Sequence, residues 1–509
     1  MPRLPGTSIV KAFREDRWLA GAFLVLTLTA LLPLTLTSLV PSPDLPGNVG
    51  GAALLFHRAL GHAPSQEYYR VVWQPFPYWT GYLFLGGASL LLGPLAAAKL
   101  QVGVLIVALP LGVLRLALAL GRNPRIALWA FLLVWEHNLY AGWHSFVLGM
   151  VIALIVIARS IEAREARDAR LALPWSVLLV TTHVLPLLFA MVAVALVMLE
   201  PARRSVRRFA IVFAPTLLVL IPWLWVRYAA YSAAGFGVAT TFDFPGPVDK
   251  LHTLFSASVA TVPGTAGDLT SVLAFVVLLL GPLLLARAPE EPEDRHRWAA
   301  LAVPAAGLAL YCALPMSMSG PVDHWYTYPR FASYFLLALP LIPRPRLDGR
   351  RGLLVAPGVL VALAVHVTTA FAFRAFGQRT KPFEQILAAV PHGVRLLPLE
   401  YVVTDPSVRL EALAHAHSYL TAAHVLYDPH LFDNPNTPIR YRQDCFIPRI
   451  PWLGPRGFSL ERYGRHYDYV LVQGLEHDPL LAAPDGGGVH ARLVKEAGIW
   501  RLYALDRPR

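Results

Sequence analysis

Two carboxylates stand where they could do chemistry. Asp44 lies in Pro41-Ser42-Pro43-Asp44-Leu45-Pro46-Gly47-Asn48, directly after the first apolar block. Prolines fix the backbone around it, and a carboxylate held under an apolar roof can act as a general base on a hydroxyl group. The competing reading is an ordinary solvated loop aspartate. Glu136 interrupts the apolar stretch between Arg125 and Arg159, within Glu136-His137-Asn138. A carboxylate near a membrane face is costly to desolvate, so it is expected to line a cavity; a wet turn is the alternative. The histidines His57, His62, His144 and His183 fall in or beside other polar breaks. An isolated histidine is more often hydrogen-bonded structure than a catalyst. His415, His417, His424 and His430 are spaced irregularly and give no zinc signature.

Several chemistries are absent. The chain has no GxxxxGK[ST] loop, no GxGxxG after a strand, and no HExxH, CxxC or GxSxG. Its two cysteines, Cys312 and Cys445, cannot build a disulfide framework. No cofactor is assigned, although Asp44 and Glu136 are hard oxygen donors that together could hold a divalent cation.

The elements that position these residues follow from composition. Of 509 residues, 56% are hydrophobic and 15% charged, and mean hydropathy is +0.50. The apolar residues come in long blocks, which excludes a soluble enzyme, a disordered chain and a disulfide scaffold. The formal charge of +12 comes from 39 Arg and 5 Lys scattered over short loops. It forms no continuous face, so it marks topology rather than a nucleic-acid partner. The arginine bias, with many Ala, Leu and Pro, points to a GC-rich bacterial gene. The first apolar run, Trp18 to Val40, exceeds a signal-peptide core and has no cleavage site after it; it is expected to be an uncleaved span.

Basic segments recur at residues 1–17, Arg122 and Arg125, Arg159 to Arg170, Arg203 to Arg208, Arg287 to Arg297 and Arg344 to Arg351. All six are expected in the cytoplasm. That placement makes two hairpins, turning at EHNLYAGWH and TTHVLP, whose first arms of about 12 residues are too short for a bilayer core of about 30 Å. Such arms must pack among other helices. The first outer loop, 41–95, should carry a short surface helix at Val49 to Leu60 and an interfacial helix within Phe76 to Leu92. The 227–268 segment, with Asp243 and Asp249, reads as a surface turn, with a lid over the site as the functional alternative. The expectation is an all-α polytopic bundle of about 11 transmembrane helices over residues 1–373. A small extracytoplasmic α/β domain follows over 374–509, where short β-like runs such as YDYVLVQG and GIWRLYAL appear.

This layout resembles the GT-C glycosyltransferases, integral membrane enzymes that use polyprenyl-phosphate sugars, in particular those like family 39. The matching stretches are PSPDLPGN, the segment FPYWTGYLFLGGASLLLGPLAAAKL and the basic-ended hairpins. The resemblance implies inverting transfer of a sugar from a lipid phosphate to an acceptor on the outer face. Asp44 would be the base, with Glu136 a second acid at the hairpin apex. Lys99, after the small-residue run, takes the position of the family's cation, though snorkelling to headgroups is the bland alternative. Arg330, ending DHWYTYPR, could clamp phosphate bidentately; Arg58 and Arg70 are weaker candidates. His57, His137 and His183 are candidate substrate contacts. Trp325, Tyr326 and Tyr328 could stack on sugar faces or belong to the interfacial aromatic belt. The implied partners are a polyprenyl-phosphate-linked sugar, a glycan, lipid or protein acceptor, and membrane lipids. The implied location is the bacterial inner membrane, with the N-terminus cytoplasmic and the tail outside. The rivals are a transporter or lipid flippase, which would normally carry inverted repeats and mid-span charges, and a non-catalytic membrane scaffold.

Overall fold

The computed structural model describes residues 8–74, 77–163, 165–200, 205–233, 240–289, 294–320, 323–432, 437–445, 447–451, 455 and 457–507. Phe76, with which the 76–92 segment begins, and Arg203 and Arg204 of one basic cluster lie outside them. Among the described residues, six helices are long and apolar enough to cross a membrane: Arg17–Thr35, Pro94–Ala119, His144–Glu162, Val206–Ala229, Thr265–Leu285 and Gly349–Thr380. Five further apolar helices are shorter: Trp79–Leu92, Pro124–Leu133, Val184–Val197, Arg297–Ala313 and Phe331–Leu341. At about 1.5 Å per residue none of these reaches across a core of about 30 Å. Length and composition therefore qualify six spans, not eleven.

Short arms do occur at both polar interruptions. Pro124–Leu133 is a ten-residue 3₁₀ helix, and Leu173–Thr182 is an α-helix of 10 residues. The chain breaks after the first at Glu136 to Trp143, and after the second at His183, whose backbone is extended. The 3₁₀ arm is buried from Ile126 to Leu133. It packs between Pro94–Ala119 and Ala356–Thr380, which is how an arm this short is kept from lipid.

One end of the bundle gathers the basic segments. Arg122 grips Asp294 through two bonds of 2.8 and 2.7 Å and donates to the carbonyl of Leu341 at 2.8 Å. Arg125 binds Asp16 at 2.6 Å, Arg115 pairs with Glu162, and Arg208 donates to the carbonyl of Ala163 at 2.6 Å. Loops far apart in sequence are thus joined by arginine.

The opposite end carries the acidic residues and the tail. The expected surface helix is longer and starts earlier, at Asp44–Ala59, and Leu45 to Leu55 are nearly all buried. Pro46 is tolerated because it lies in the first turn, where backbone N–H groups have no helical partner. The helix is not a surface element, because its glycine face is covered by the tail. A side chain at Gly50 would meet Ser418 at 3.1 Å, and one at Gly47 would meet Phe432 at 2.7 Å.

The last span, Ala356–Thr380, runs past the expected boundary at 373, so composition changes a turn or two before structure does. In the tail, Leu396–Glu400 runs parallel to Tyr469–Gln473. Antiparallel Trp500–Asp506, Val489–Ala497 and Asp485–Gly486 complete a five-stranded sheet. The two β-like runs are therefore adjacent strands, with Trp500 opposite Gln473. A separate antiparallel pair ties Tyr69–Val71 of the first loop to Ile439–Tyr441 of the tail.

Candidate active site

Asp44 is the first residue of its helix, where a carboxylate complements the helix dipole. The first hairpin tip is knitted to it. The Asp44 amide donates to the carbonyl of Ala141 at 3.3 Å, and Trp143 Nε1–H donates to Asp44 Oδ2 at 3.0 Å. Between those two contacts Gly142 has φ +87°, and a Cβ there would lie 2.6 Å from the Leu45 nitrogen and 2.9 Å from Asp44 Cβ. Only glycine permits this approach. Burial pushes the Asp44 carboxyl up to about 6, against the pull of the Trp143 hydrogen bond and the Arg330 charge.

Arg330 faces the same cavity. Its guanidinium lies 3.9 Å from the centre of the Trp143 ring and 5.6 Å from that of Phe146. Nε donates to the carbonyl of Tyr326 at 3.0 Å and Nη2 to that of Trp325 at 3.2 Å. Among the described residues no carboxylate pairs with it, although Asp44 and Glu136 act on it electrostatically. Burial lowers it to about 10, so it stays charged at neutral pH. His183 stands beside it, its Nε2 3.5 Å from Arg330 Nη1 and 3.4 Å from the Tyr78 hydroxyl. The Leu185 backbone N–H donates to His183 Nδ1 at 3.1 Å, so the neutral ring carries its proton on Nε2. Burial, Arg330 and His324 hold the ring neutral. The N–H groups of Arg330 and His183 thus converge, an arrangement suited to binding an anion.

The cavity has a volume of about 270 Å³. Asp44, Asn48, Tyr78, Tyr82, Trp143, His183, His324 and Arg330 line it. His324 and Trp325 come from a small sheet formed by Thr241–Asp243, Ser317–Ser319 and His324–Trp325. Asp243 and Asp249 do not reach the cavity.

The other expected residues lie elsewhere. Glu136 is fully buried behind the cavity wall. Its Oε2 accepts from the Asn138 backbone at 2.9 Å, the Asn138 side chain at 2.6 Å and Ser333 at 2.7 Å. Burial pushes this carboxyl up to about 7. Asp44 lines the cavity and Glu136 does not. His137 stacks on Tyr326 with ring centres 5.9 Å apart, and burial lowers it to about 4. Tyr328 donates to Thr253 Oγ1 at 3.0 Å, beneath Lys250. Lys99 sits half-buried within electrostatic range of Glu384, outside the cavity. His57 pairs with His62 at 3.0 Å. It and Arg58 occupy the far end of the Asp44 helix, about 20 Å from Asp44 at 1.5 Å per residue.

Sequence reasoning missed Trp143, Tyr78, Tyr82, Asn48 and His324. Trp143 was legible as a polar-ended aromatic within the hairpin tip. Tyr78 has φ +84°, a strained backbone that spacing cannot announce.

No family model and no curated protein sequence matches the chain. Solved structures match it in fold. ArnT from Cupriavidus metallidurans in the apo state gives a TM-score of 0.56 at 13% identity, over 96% of this chain and 97% of that one. The same protein bound to undecaprenyl phosphate gives 0.55 at 13%, over 96% and 98%. The arabinofuranosyltransferase AftD from Mycobacteria gives 0.50 at 16%, over 97% of this chain but 40% of that chain. The chain therefore spans about two fifths of AftD's length. These neighbours are GT-C glycosyltransferases, and this chain has the GT-C fold.

Proposed function

We propose that the protein is an integral membrane glycosyltransferase. It would move a sugar from a polyprenyl-phosphate donor to an acceptor hydroxyl at the extracytoplasmic face, with inversion. One observation carries the reading: a half-buried carboxylate, Asp44, and a buried guanidinium, Arg330, with no carboxylate partner among the described residues, line one cavity in a GT-C fold. A volume of about 270 Å³ is slightly below the range of about 300–1,000 Å³ for small-molecule pockets, and suits a sugar-phosphate head rather than a lipid tail. Undecaprenyl phosphate, which ArnT binds in one structure, is what such a donor leaves behind.

In this mechanism Asp44 accepts the acceptor's hydroxyl proton as the oxygen attacks the anomeric carbon. The bond from that carbon to the phosphate oxygen breaks on the opposite side of the sugar. The phosphate departs with its negative charge towards Arg330 and the Nε2–H of His183. Trp143 spans both halves of the reaction, donating to Asp44 and stacking on Arg330. Glu136 acts through Arg330 from behind the wall and does not touch substrate. The basic end of the bundle would face the cytoplasm, and the shorter apolar helices other than the interfacial Trp79–Leu92, together with Leu173–Thr182, would cross within the packed bundle to give about 11 spans.

The test is transfer from synthetic polyprenyl-phosphate sugars by the purified protein in vesicles. Equimolar release of free polyprenyl phosphate with an inverted glycosidic linkage is expected. Vesicle uptake or flipping without bond cleavage would overturn the proposal.

A further inference from the structure

The tail buries a second constellation that the transfer reaction does not use. Glu400 ends the strand Leu396–Glu400. Its side chain meets His415 and His417, and ligand-capable atoms of the three lie within 4.8 Å of one another. All are buried: Glu400 is 2% exposed, His415 4% and His417 1%. His417 Nδ1 is 2.8 Å from Glu400 Oε1, and its Nε2 is 3.1 Å from Asp428 Oδ1. Asp428, also buried, accepts further bonds from Ser418, Thr421 and the His430 backbone at 3.1, 3.1 and 2.8 Å. Glu400 Oε2 accepts from the His415 backbone at 3.2 Å.

Charge decides what this cluster is for. Two carboxylates lie in a core with no arginine or lysine paired to either among the described residues. An unbalanced carboxylate is costly to bury. A divalent cation with neutral histidines balances both carboxylates. The donor set is also right: two imidazoles and one carboxylate suit zinc in tetrahedral geometry. Asp428 then has a separate part. With Nδ1 of His417 on the metal, Nε2–H donates to Asp428, the outer carboxylate that orients a metal-bound histidine. His430 packs edge-on against His417 with ring centres 5.4 Å apart, and its Nε2 lies 2.9 Å from the carbonyl oxygen of Ile450.

We propose that Glu400, His415 and His417 hold a structural divalent metal ion, zinc by its donor set, with Asp428 orienting His417. The site pins the segment that roofs the Asp44 helix. Ser418 packs on Gly50. The His415 ring meets Phe432, which covers Gly47 and lines the cavity. The metal therefore holds the roof of the active cavity and takes no part in bond cleavage. The proposal stands independently of the transfer reaction.

The test is metal content of the full-length protein purified in detergent without chelator, then loaded with zinc and desalted. About one zinc per chain is expected, falling at least tenfold in Glu400→Gln and in His417→Gln. Asp428→Asn should keep the metal with affinity lowered about 10–100-fold. Cobalt loading of the unaltered chain needs no variant, and should give the visible absorption of a tetrahedral nitrogen–oxygen site. A strong chelator should lower the melting temperature of the unaltered protein but not of Glu400→Gln. Less than a tenth of an equivalent of zinc after loading, with no cobalt spectrum, would overturn the site and leave His417 as an imidazolium between two carboxylates. Equal zinc in all variants would also overturn it.

Discussion

The two ends of the bundle handle buried charge in opposite ways. At the basic end, charges meet: Arg122 holds Asp294 in a fork, Arg125 holds Asp16, and Arg115 holds Glu162. At the other end Asp44 and Arg330 both line one cavity, yet neither is neutralised by contact. Trp143 keeps them engaged but apart, through a hydrogen bond to one and its ring face to the other. Paired charges hold loops together, whereas separated ones leave a field and a proton acceptor available to a substrate. On the proposed function, the fold gives up stability at this end in exchange for reactivity.

That contrast sets the order of effects. Arg330→Met should lower transfer about 10²–10³-fold while leaving the melting temperature unchanged or raised. Arg122→Met should do the reverse, destabilising the fold by about 3–5 kcal/mol because Asp294 loses its partner, with kcat per folded molecule preserved. Thermal melts in detergent alongside transfer assays separate the two. If both substitutions behaved alike, the distinction between the two ends would fail.

Acid should affect the cavity end in two opposite ways. Asp44 must be ionised to accept a proton, so kcat/KM should fall tenfold per pH unit below about 6. The sign for stability is opposite. A carboxyl raised from 3.8 to about 6 in the folded state stabilises the fold only while protonated, and that contribution is lost as pH rises through 6. At neutral pH the ionised group costs up to about 3 kcal/mol. Asp44→Asn should therefore melt at the same or a higher temperature at pH 7, with the difference vanishing below pH 4.

Trp143→Phe keeps a ring over Arg330 but removes the N–H donated to Asp44. Its acid limb should move upward by less than one pH unit, with at most tenfold loss near pH 6. The smallest effect falls on Lys99→Gln. Lys99 lies outside the cavity near Glu384, so transfer should change less than threefold; a hundredfold loss would return it to the site.

Much of this was legible in sequence because membrane topology is written in charge. The spread of arginine over short loops foretold which segments share an end, and the breaks at Glu136 and His183 foretold short arms. Asp44 and Arg330 were legible as charges where apolar blocks end. The Asp44 helix was mistaken for a surface element because its covering comes from residues 415–432, some 370 positions away. The clustering of Glu400, His415 and His417 was hidden likewise, since a strand and a left-handed turn at His415 bring them together without regular spacing. Glu136 was expected in the cavity, but Ser333 and Asn138 hold its Oε2 behind the wall.

The decisive measurement is transfer by Asp44→Asn in membranes supplied with labelled polyprenyl-phosphate sugar at pH 7.5, with release of free polyprenyl phosphate as the readout. A loss of at least about 10²-fold is expected, in a protein that still expresses and folds. Release at the parent's rate would contradict it.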